Sequence, residues 1–274
     1  MGTLYVVATP IGNLRDITLR AIDVLKSVDT IACEDTRVTK KLLNHYGIKE
    51  KKLISYHEHN EEKTSERIIN ILKEKDIALV SDAGTPCISD PGYRVVKKAW
   101  EKGFRVVPIP GAFAGAVALS ASGLPSDKFL FVGFLSHKEK QKEKEIKRYS
   151  ETGYTFIVYE SPHRLLNTLE KFTKILPDSH LVVAKELTKL HEMFIRGKPE
   201  DILKFFTENP DRVKGEFVLI CYPEKRQEIN EDSIIEEGKK LKKEGLKTKE
   251  IAKILSEKYN FSKNKIYKLI VDKI

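Results

Sequence analysis

The apolar run Ile77-Ala78-Leu79-Val80 empties into Ser81-Asp82-Ala83-Gly84-Thr85-Pro86-Cys87-Ile88-Ser89-Asp90-Pro91-Gly92, and a helical pattern from Tyr93 to Trp100 follows. A short apolar run bounded by turn residues reads as a buried strand, and in open α/β sheets ligands bind outside the carboxyl ends of the strands. This loop carries two Pro, two Gly, two Asp, two Ser and a Thr, far more than a plain strand-to-helix turn needs. Such residues give rigid turns, close backbone approach and several acceptors. The loop is therefore expected to line a binding site. Asp90 itself, just before Pro91, has the spacing of a helix N-cap with Pro at the first helical position.

The same alternation runs along most of the chain and predicts α/β architecture. Strands are expected at 4–8, 30–33, 53–56, 77–81 and 105–110, then at 129–134, 155–159, 181–184, 194–196 and 216–220. Helices are expected between several of them: one with Ile17, Ala21, Ile22, Leu25 and Val28 on one face, then 61–73, 93–100, a small-residue helix after Gly111, 137–149, one ending at Leu176, and 199–207. Gly123-Leu124-Pro125-Ser126 reads as a linker, dividing an α/β domain over 1–122 from a second over 123–225. From 230 to 274 the strand pattern stops. Three short helices are expected there, the first capped by the Ser233-x-x-Glu236 box, the second from Thr248 to about Tyr259 and the third from Ser262. Ile251, Ile254, Leu255, Ile266, Leu269 and Ile270 would form their shared core, with a helix-turn-helix as one possible arrangement.

The formal net charge of +9 is unevenly spread. Residues 137–149 hold six Lys/Arg against three Glu, and residues 225–274 hold fourteen against nine acids, so the rest is almost neutral. Two basic segments beside a neutral body suit a polyanion, with nucleic acid as the first candidate. The longest apolar stretch, Phe129 to Leu135, is too short to span a bilayer, and the first residues lack a signal-peptide pattern, so a cytoplasmic location is expected. Cys33, Cys87 and Cys221 lie far apart with no Cys-x-x-Cys, which points to free thiols. His57 and His59 lack further ligands at the usual spacing, so no metal is expected. No Gly-x-Gly-x-x-Gly follows the first strand and there is no P-loop, excluding the common dinucleotide and triphosphate sites. Glu34, Asp35, Lys185 and Glu186 sit at predicted strand ends, where general acid–base work is possible. Glu34 and Asp35 have an equally good role in capping a helix.

The loops together form a pattern. Thr9-Pro10-Ile11-Gly12-Asn13-Leu14, Glu34-Asp35-Thr36-Arg37, Ser81-Asp82-Ala83-Gly84-Thr85-Pro86 with Ser89-Asp90-Pro91-Gly92, Gly123-Leu124-Pro125-Ser126, Glu160-Ser161-Pro162-His163-Arg164, Glu186-Leu187-Thr188-Lys189 and Lys214-Gly215-Glu216 follow in one order. Over residues 3–222 this resembles the ribosomal RNA methyltransferases of the tetrapyrrole methylase superfamily, departing from their pattern at Gly111-Ala112-Phe113-Ala114. The resemblance implies two α/β domains with the donor cleft between them plus a helical extension, a homodimer, and S-adenosylmethionine as methyl donor without a metal. It also implies, as acceptor, the ribose 2′-hydroxyl of a cytidine in the decoding region of 16S rRNA in the small ribosomal subunit. Carried over by position, Pro10, Asp82, Thr85, Ala112, Phe113, Ala114, Tyr159, Lys214 and Gly215 surround the donor, leaving Glu34, Asp35, Lys185 and Glu186 as candidates to activate the hydroxyl. The residues alone leave two other readings open, a methyltransferase of the same fold acting on a tetrapyrrole or other small molecule, and a non-catalytic nucleic-acid-binding protein.

Overall fold

The computed structural model describes residues 1–223, 231–259 and 263–273, and the chain forms two compact units, Met1–Pro223 and Glu224–Ile274. The first unit opens with β1 (Thr3–Val7), α1 (Leu19–Ser27), β2 (Thr30–Cys33), α2 (Thr36–His45), β3 (Lys52–Ser55), α3 (Glu61–Leu72), β4 (Ile77–Val80), α4 (Tyr93–Glu101) and β5 (Arg105–Ile109). The strands make one parallel sheet in the order β3-β2-β4-β1-β5. β2 and β4 are buried at every residue, which is why they read as unbroken apolar runs rather than as alternating ones. Helices α1 and α2 bury Ala21, Leu25 and Leu43 on Val7, Ile31 and Val80, while α3 and α4 bury Ile68, Leu72 and Val95 on Leu4, Ile77 and Leu79. Both faces of the sheet are thereby covered.

The helix α5 (Ala114–Ser122) leaves this sheet and packs Ala118 and Leu119 against Ile157, Val182 and Ile220 of the next one. Its small residues therefore allow a close helix–sheet contact. Gly123, at φ 66°, ends it in the left-handed conformation that lacks a penalty only for glycine. Then come β6 (Phe129–Phe134), α6 (Glu139–Ser150), β7 (Thr155–Glu160), α7 (Pro162–Ile175), β8 (His180–Lys185), β9 (Met193–Gly197), α8 (Pro199–Glu208) and β10 (Phe217–Tyr222). The second sheet has the order β6-β7-β10-β8-β9, with β6 parallel to β7 and β10 antiparallel to both β7 and β8. Its far face packs Phe156, Val158, Leu181 and Leu219 against Leu169 and Phe172 of α7 and Phe206 of α8.

The basic segment around α6 is only partly a solvated face. Glu139 and Glu143 pair with Lys171 of α7 at 3.1 and 3.0 Å, and Lys142 is buried, donating to Asn167 Oδ1 at 2.6 Å and Thr168 Oγ1 at 3.4 Å. The acids are used in packing, and Lys140, Lys144, Lys147 and Arg148 remain exposed.

The second unit contains α9 (Glu231–Lys243), α10 (Thr248–Lys258) and α11 (Lys263–Lys273), closed around Ile234, Ile251, Ala252, Leu255, Ile266 and Ile270.

Several expectations are corrected. The helix that Glu34 or Asp35 would cap is α2, whose extent the sequence pattern does not show, and Asp35 is its N-cap. Ile17 precedes α1, which starts behind Thr18, whose hydroxyl accepts from Ala21 N. Ser233 lies inside α9, two residues past its first, so it caps nothing. Ile254 is 40% exposed and outside the helical core. The Ser262 helix start and the boundary near residue 225 lie outside the described residues.

Candidate active site

Three strand-end loops of the parallel sheet converge. Thr9 and Gly84 exchange backbone hydrogen bonds at 2.8 and 3.1 Å, and Thr85 Oγ1 donates to Ala112 O at 2.9 Å, so the loops after β1, β4 and β5 are tied together. The segment after β4 is held in unusual backbone: Cys87 and Ser89 have φ of 72° and 62°, and Gly92 has φ 142°. Non-glycine residues adopt such angles at a cost of about 1–3 kcal/mol each, and they persist where the surroundings impose them. Here Glu61 of α3 imposes part of the shape, because its carboxylate accepts from Gly92 N at 3.0 Å and Tyr56 OH at 3.2 Å while pairing with Arg94.

Facing these loops from the second sheet are Phe134, the carboxyl end of β7 and the amino end of β10, enclosing a cavity of about 220 Å³. Phe131 lies between Phe113 and Tyr159 with both ring centroids at 4.9 Å, Phe134 is 5.8 Å from Tyr159, and Tyr159 OH accepts from Gly115 N at 3.2 Å. Behind them the Glu160 carboxylate is buried, accepting from Ser161 N, Thr168 Oγ1 and Arg164 Nε, while Arg164 also donates to the carbonyls of Leu135 and Ser136. The lining is thus mostly aromatic and aliphatic, with one carboxylate, Asp90, on the first wall. Burial, aided by the nearby charge of Glu34, pushes the Asp90 carboxyl up to about 6. This corrects the capping expectation for Asp90: α4 starts at Tyr93 behind Gly92, two residues further on, and Asp90 lines the cavity.

A second cavity of about 400 Å³ adjoins the first, sharing Ile11, Ala83 and Glu216 with it, and extends along the Thr9–Leu14 loop and α2. A third hollow, about 600 Å³, lies beside the loop after β8.

The residues singled out from the sequence separate among these spaces. Thr85, Phe113, Ala114 and Tyr159 line the first cavity, and Ala112 adjoins it through the carbonyl held by Thr85. Pro10 and Asp82 line the second. Lys185, Glu186, Lys214 and Gly215 line the third. Glu34 and Asp35 stand behind the loops. Asp35 is the N-cap of α2, accepting from Arg37 N at 2.8 Å and holding the Arg37 guanidinium at 2.6 Å, and these bonds pull its carboxyl down to about 2. Capping accounts for it. Glu34 is raised by burial and by Asp82, and Asp82 by burial although Asp35 N donates to it at 2.9 Å. Glu186 is lowered: burial works against this, but Lys189 at 2.9 Å and the Glu216 amide outweigh it. His57 and His59 follow β3 in a turn, with ring centroids 6.0 Å apart, and no metal-binding group of three or more His, Cys, Asp or Glu occurs among the described residues.

Residues of the cleft not singled out from the sequence include Ile11, Phe134, Glu160 and Glu216 to Val218. Glu160 and Glu216 did stand in the loops that carry the resemblance.

The fold of two sheets joined by α5 is shared with solved structures. Residues 3–203 match the family of Tetrapyrrole (Corrin/Porphyrin) Methylases. The crystal structure of diphthine synthase superposes with a TM-score of 0.65 at 17% identity, covering 81% of this chain and 90% of that one. Cobalt precorrin-4 methyltransferase superposes with 0.58 at 15%, covering 80% and 94%. At those identities the likeness concerns the fold. The chain belongs to the tetrapyrrole methylases and, within them, to the ribosomal RNA small subunit methyltransferase I proteins. Its relatives of that name include the protein of Halalkalibacterium halodurans, 53% identical over 80% of this chain and 75% of that protein, and that of Bacillus subtilis, 50% identical over 85% and 79%. The Escherichia coli O157:H7 protein is 45% identical over 99% of this chain and 95% of its own length.

Proposed function

We propose that the protein transfers a methyl group from S-adenosylmethionine to the ribose 2′-hydroxyl of a cytidine in the decoding region of 16S rRNA. The observation that carries this reading is the identity of 45% over nearly the whole chain with a relative named ribosomal RNA small subunit methyltransferase I. The first cavity suits the donor: aromatic and aliphatic side chains from Phe113, Tyr159 and Phe134 offer faces to a purine, and Asp90 offers a negative charge to a cation. When bound, the donor supplies an electrophilic methyl on sulfur. No metal is needed for this transfer.

What the chain contributes is mainly orientation, since the leaving group is a neutral thioether. Holding two reactants in line is worth roughly 7–11 kcal/mol, and a positioned base adds roughly 10²–10⁴-fold. Of the four candidate groups, Asp35 is committed to its cap and Arg37, and Glu186 to Lys189. Glu34 is raised by burial and so is a stronger base than the lowered Asp35 and Glu186, although it is not among the residues lining the three cavities. The exposed cations of α6 and the basic second unit are the surfaces we assign to the RNA backbone. The same reading carries a homodimer of two α/β halves, 1–122 and 123–225, working on the small subunit in the cytoplasm.

The test is mass spectrometry of 16S rRNA from a strain lacking the gene, together with transfer of labelled methyl to small ribosomal subunits by the purified protein. Loss of one 2′-O-methylcytidine, restored by the gene, is expected. Unchanged rRNA would refute the reading, and transfer to a precorrin instead would move the acceptor to a small molecule.

A further inference from the structure

We infer that the second cavity, between the Thr9–Leu14 loop and α2, is the pocket for the acceptor nucleotide, with Thr39 facing its ribose and Lys41 its phosphate. This rests on the function proposed above and names the place where that function would receive its substrate.

Transfer between two ligands requires their reacting atoms within about 3–3.5 Å of each other. Two separate but touching spaces meet that need, and these two share Ile11, Ala83 and Glu216. Their chemistry differs. Both have apolar and polar parts, but the first presents the rings of Phe113, Phe134 and Tyr159 beside its carboxylates, whereas the second presents Ser81, Thr39 and the cations Lys41 and Lys189 beside Ile11, Leu14, Val38 and Leu42. Hydroxyls beside ammonium groups match a sugar phosphate better than a purine.

Thr39 supplies an independent observation. It is 3% exposed, lines this cavity, and its hydroxyl has no hydrogen-bond partner beyond a weak thiol contact with Cys33. A buried polar group without a good partner is uncommon and costs about 1–3 kcal/mol, so an oxygen-rich ligand at this position would relieve a standing deficit. Asp82, which the resemblance assigns to the donor, also lines this cavity, is half-buried and already accepts from Asp35 N, so it is not assigned to the acceptor. Lys189 is already committed to Glu186 and Glu216, whereas Lys41 is exposed at the rim on α2. Lys41 is therefore the cation to test.

The experiment measures donor affinity by calorimetry and steady-state methylation of small ribosomal subunits, on the full chain and three variants. Lys41→Glu should raise KM for the subunits about tenfold, and Thr39→Val about threefold, each with donor Kd unchanged. Thr39→Ser, which keeps the hydroxyl, should restore the wild-type KM and shows that any loss in Thr39→Val is not a folding defect. A shift in donor Kd with KM unchanged would make this the donor's space, and no change in either would make it an unused hollow. Both outcomes overturn the inference and leave the proposed function standing. If the wild-type protein methylates no ribosomal RNA at all, the function fails first and the nucleotide pocket falls with it.

Discussion

The two walls of the cleft are built from the same materials with opposite electrostatics. The first wall, Ser81 to Gly92, and the second, the loop after β8 with the start of β10, each contain two non-glycine residues at positive φ: Cys87 and Ser89 on one, Glu186 and Thr188 on the other. On the first wall burial raises Asp90 and Asp82, with Glu34 raised behind them. On the second, Lys189 bridges Glu186 and Glu216 at 2.9 and 3.0 Å, and Glu186 is lowered in spite of its burial. One wall thus has negative charge in want of a cation, and the other has neutralised itself. Strain alone does not distinguish a ligand-facing loop from a framework loop. The state of its charges does.

The comparison can be broken most severely at the glycines. Gly92→Ala places a methyl 2.6 Å from Cys87 Sγ at φ 142°, and Gly215→Ala, at φ 89°, drives one into the Glu186 carboxylate. Each should cost about 2–4 kcal/mol in urea unfolding. If either is neutral, that wall is not held as described.

Asp90→Asn tests the first wall's charge. In the free protein Asp90 ionises near 6, so affinity for a cationic donor should rise as pH increases through 6 and level off above 7. The variant should bind the donor about tenfold more weakly at pH 7.5 and lose that pH step. For stability the sign is reversed: the native state holds this proton at pH values where the unfolded chain has released it, so stability falls as pH rises from about 4 to 6. The variant should therefore be more stable at pH 7.5 by about 1 kcal/mol, after allowing for solvent screening. A pH-independent donor Kd in the wild type would remove Asp90 from the site.

On the second wall, Lys189→Ala should cost only about 0.5–1 kcal/mol, because the bridge is partly exposed. Glu186 contributes stability above its unfolded pKa that is lost as pH falls through its lower native one, so the variant should show a shallower acid limb in thermal denaturation as pH falls below the ordinary glutamate range. The smallest effect is expected at Asp35→Asn, which keeps the cap. Turnover within about twofold of wild type is expected; a hundredfold fall would restore Asp35 as a base.

These contrasts also mark what was legible beforehand. The strands were readable because each is a compact apolar run between turn residues, and the loops after β1, β4 and β5 because parallel strands deliver their carboxyl ends to one edge. The start of α2 was legible in the Asp35 cap but its extent was not, because only Thr39, Leu42 and Leu43 of its ten residues are buried, too thin a stripe to show a period. Asp90 misled because Gly92 breaks the path between Pro91 and the helix, which propensity rules do not foresee. Glu216, Phe217 and Val218 were missed as cleft residues for a topological reason. β10 runs antiparallel, so its amino end lies beside the carboxyl ends of its neighbours, with Phe217 opposite Glu160 and Lys185. The rule about carboxyl ends does not apply to such a strand.

The irregularity in β6 has one more consequence. Phe131 pairs with Ile157 and Phe134 with Tyr159, so Val132 and Gly133 together oppose Val158, and Gly133 turns through φ 65° to allow it. In a regular strand residues three apart point to opposite faces, yet both phenylalanines reach the Tyr159 ring. An odd interval in the chain behaves as an even one. In terms of heredity, losing the single codon for Val132 would leave both rings on the same face, whereas losing two neighbouring codons from this stretch would turn one of them away, so the cavity is more tolerant of the smaller deletion for reasons of parity rather than size.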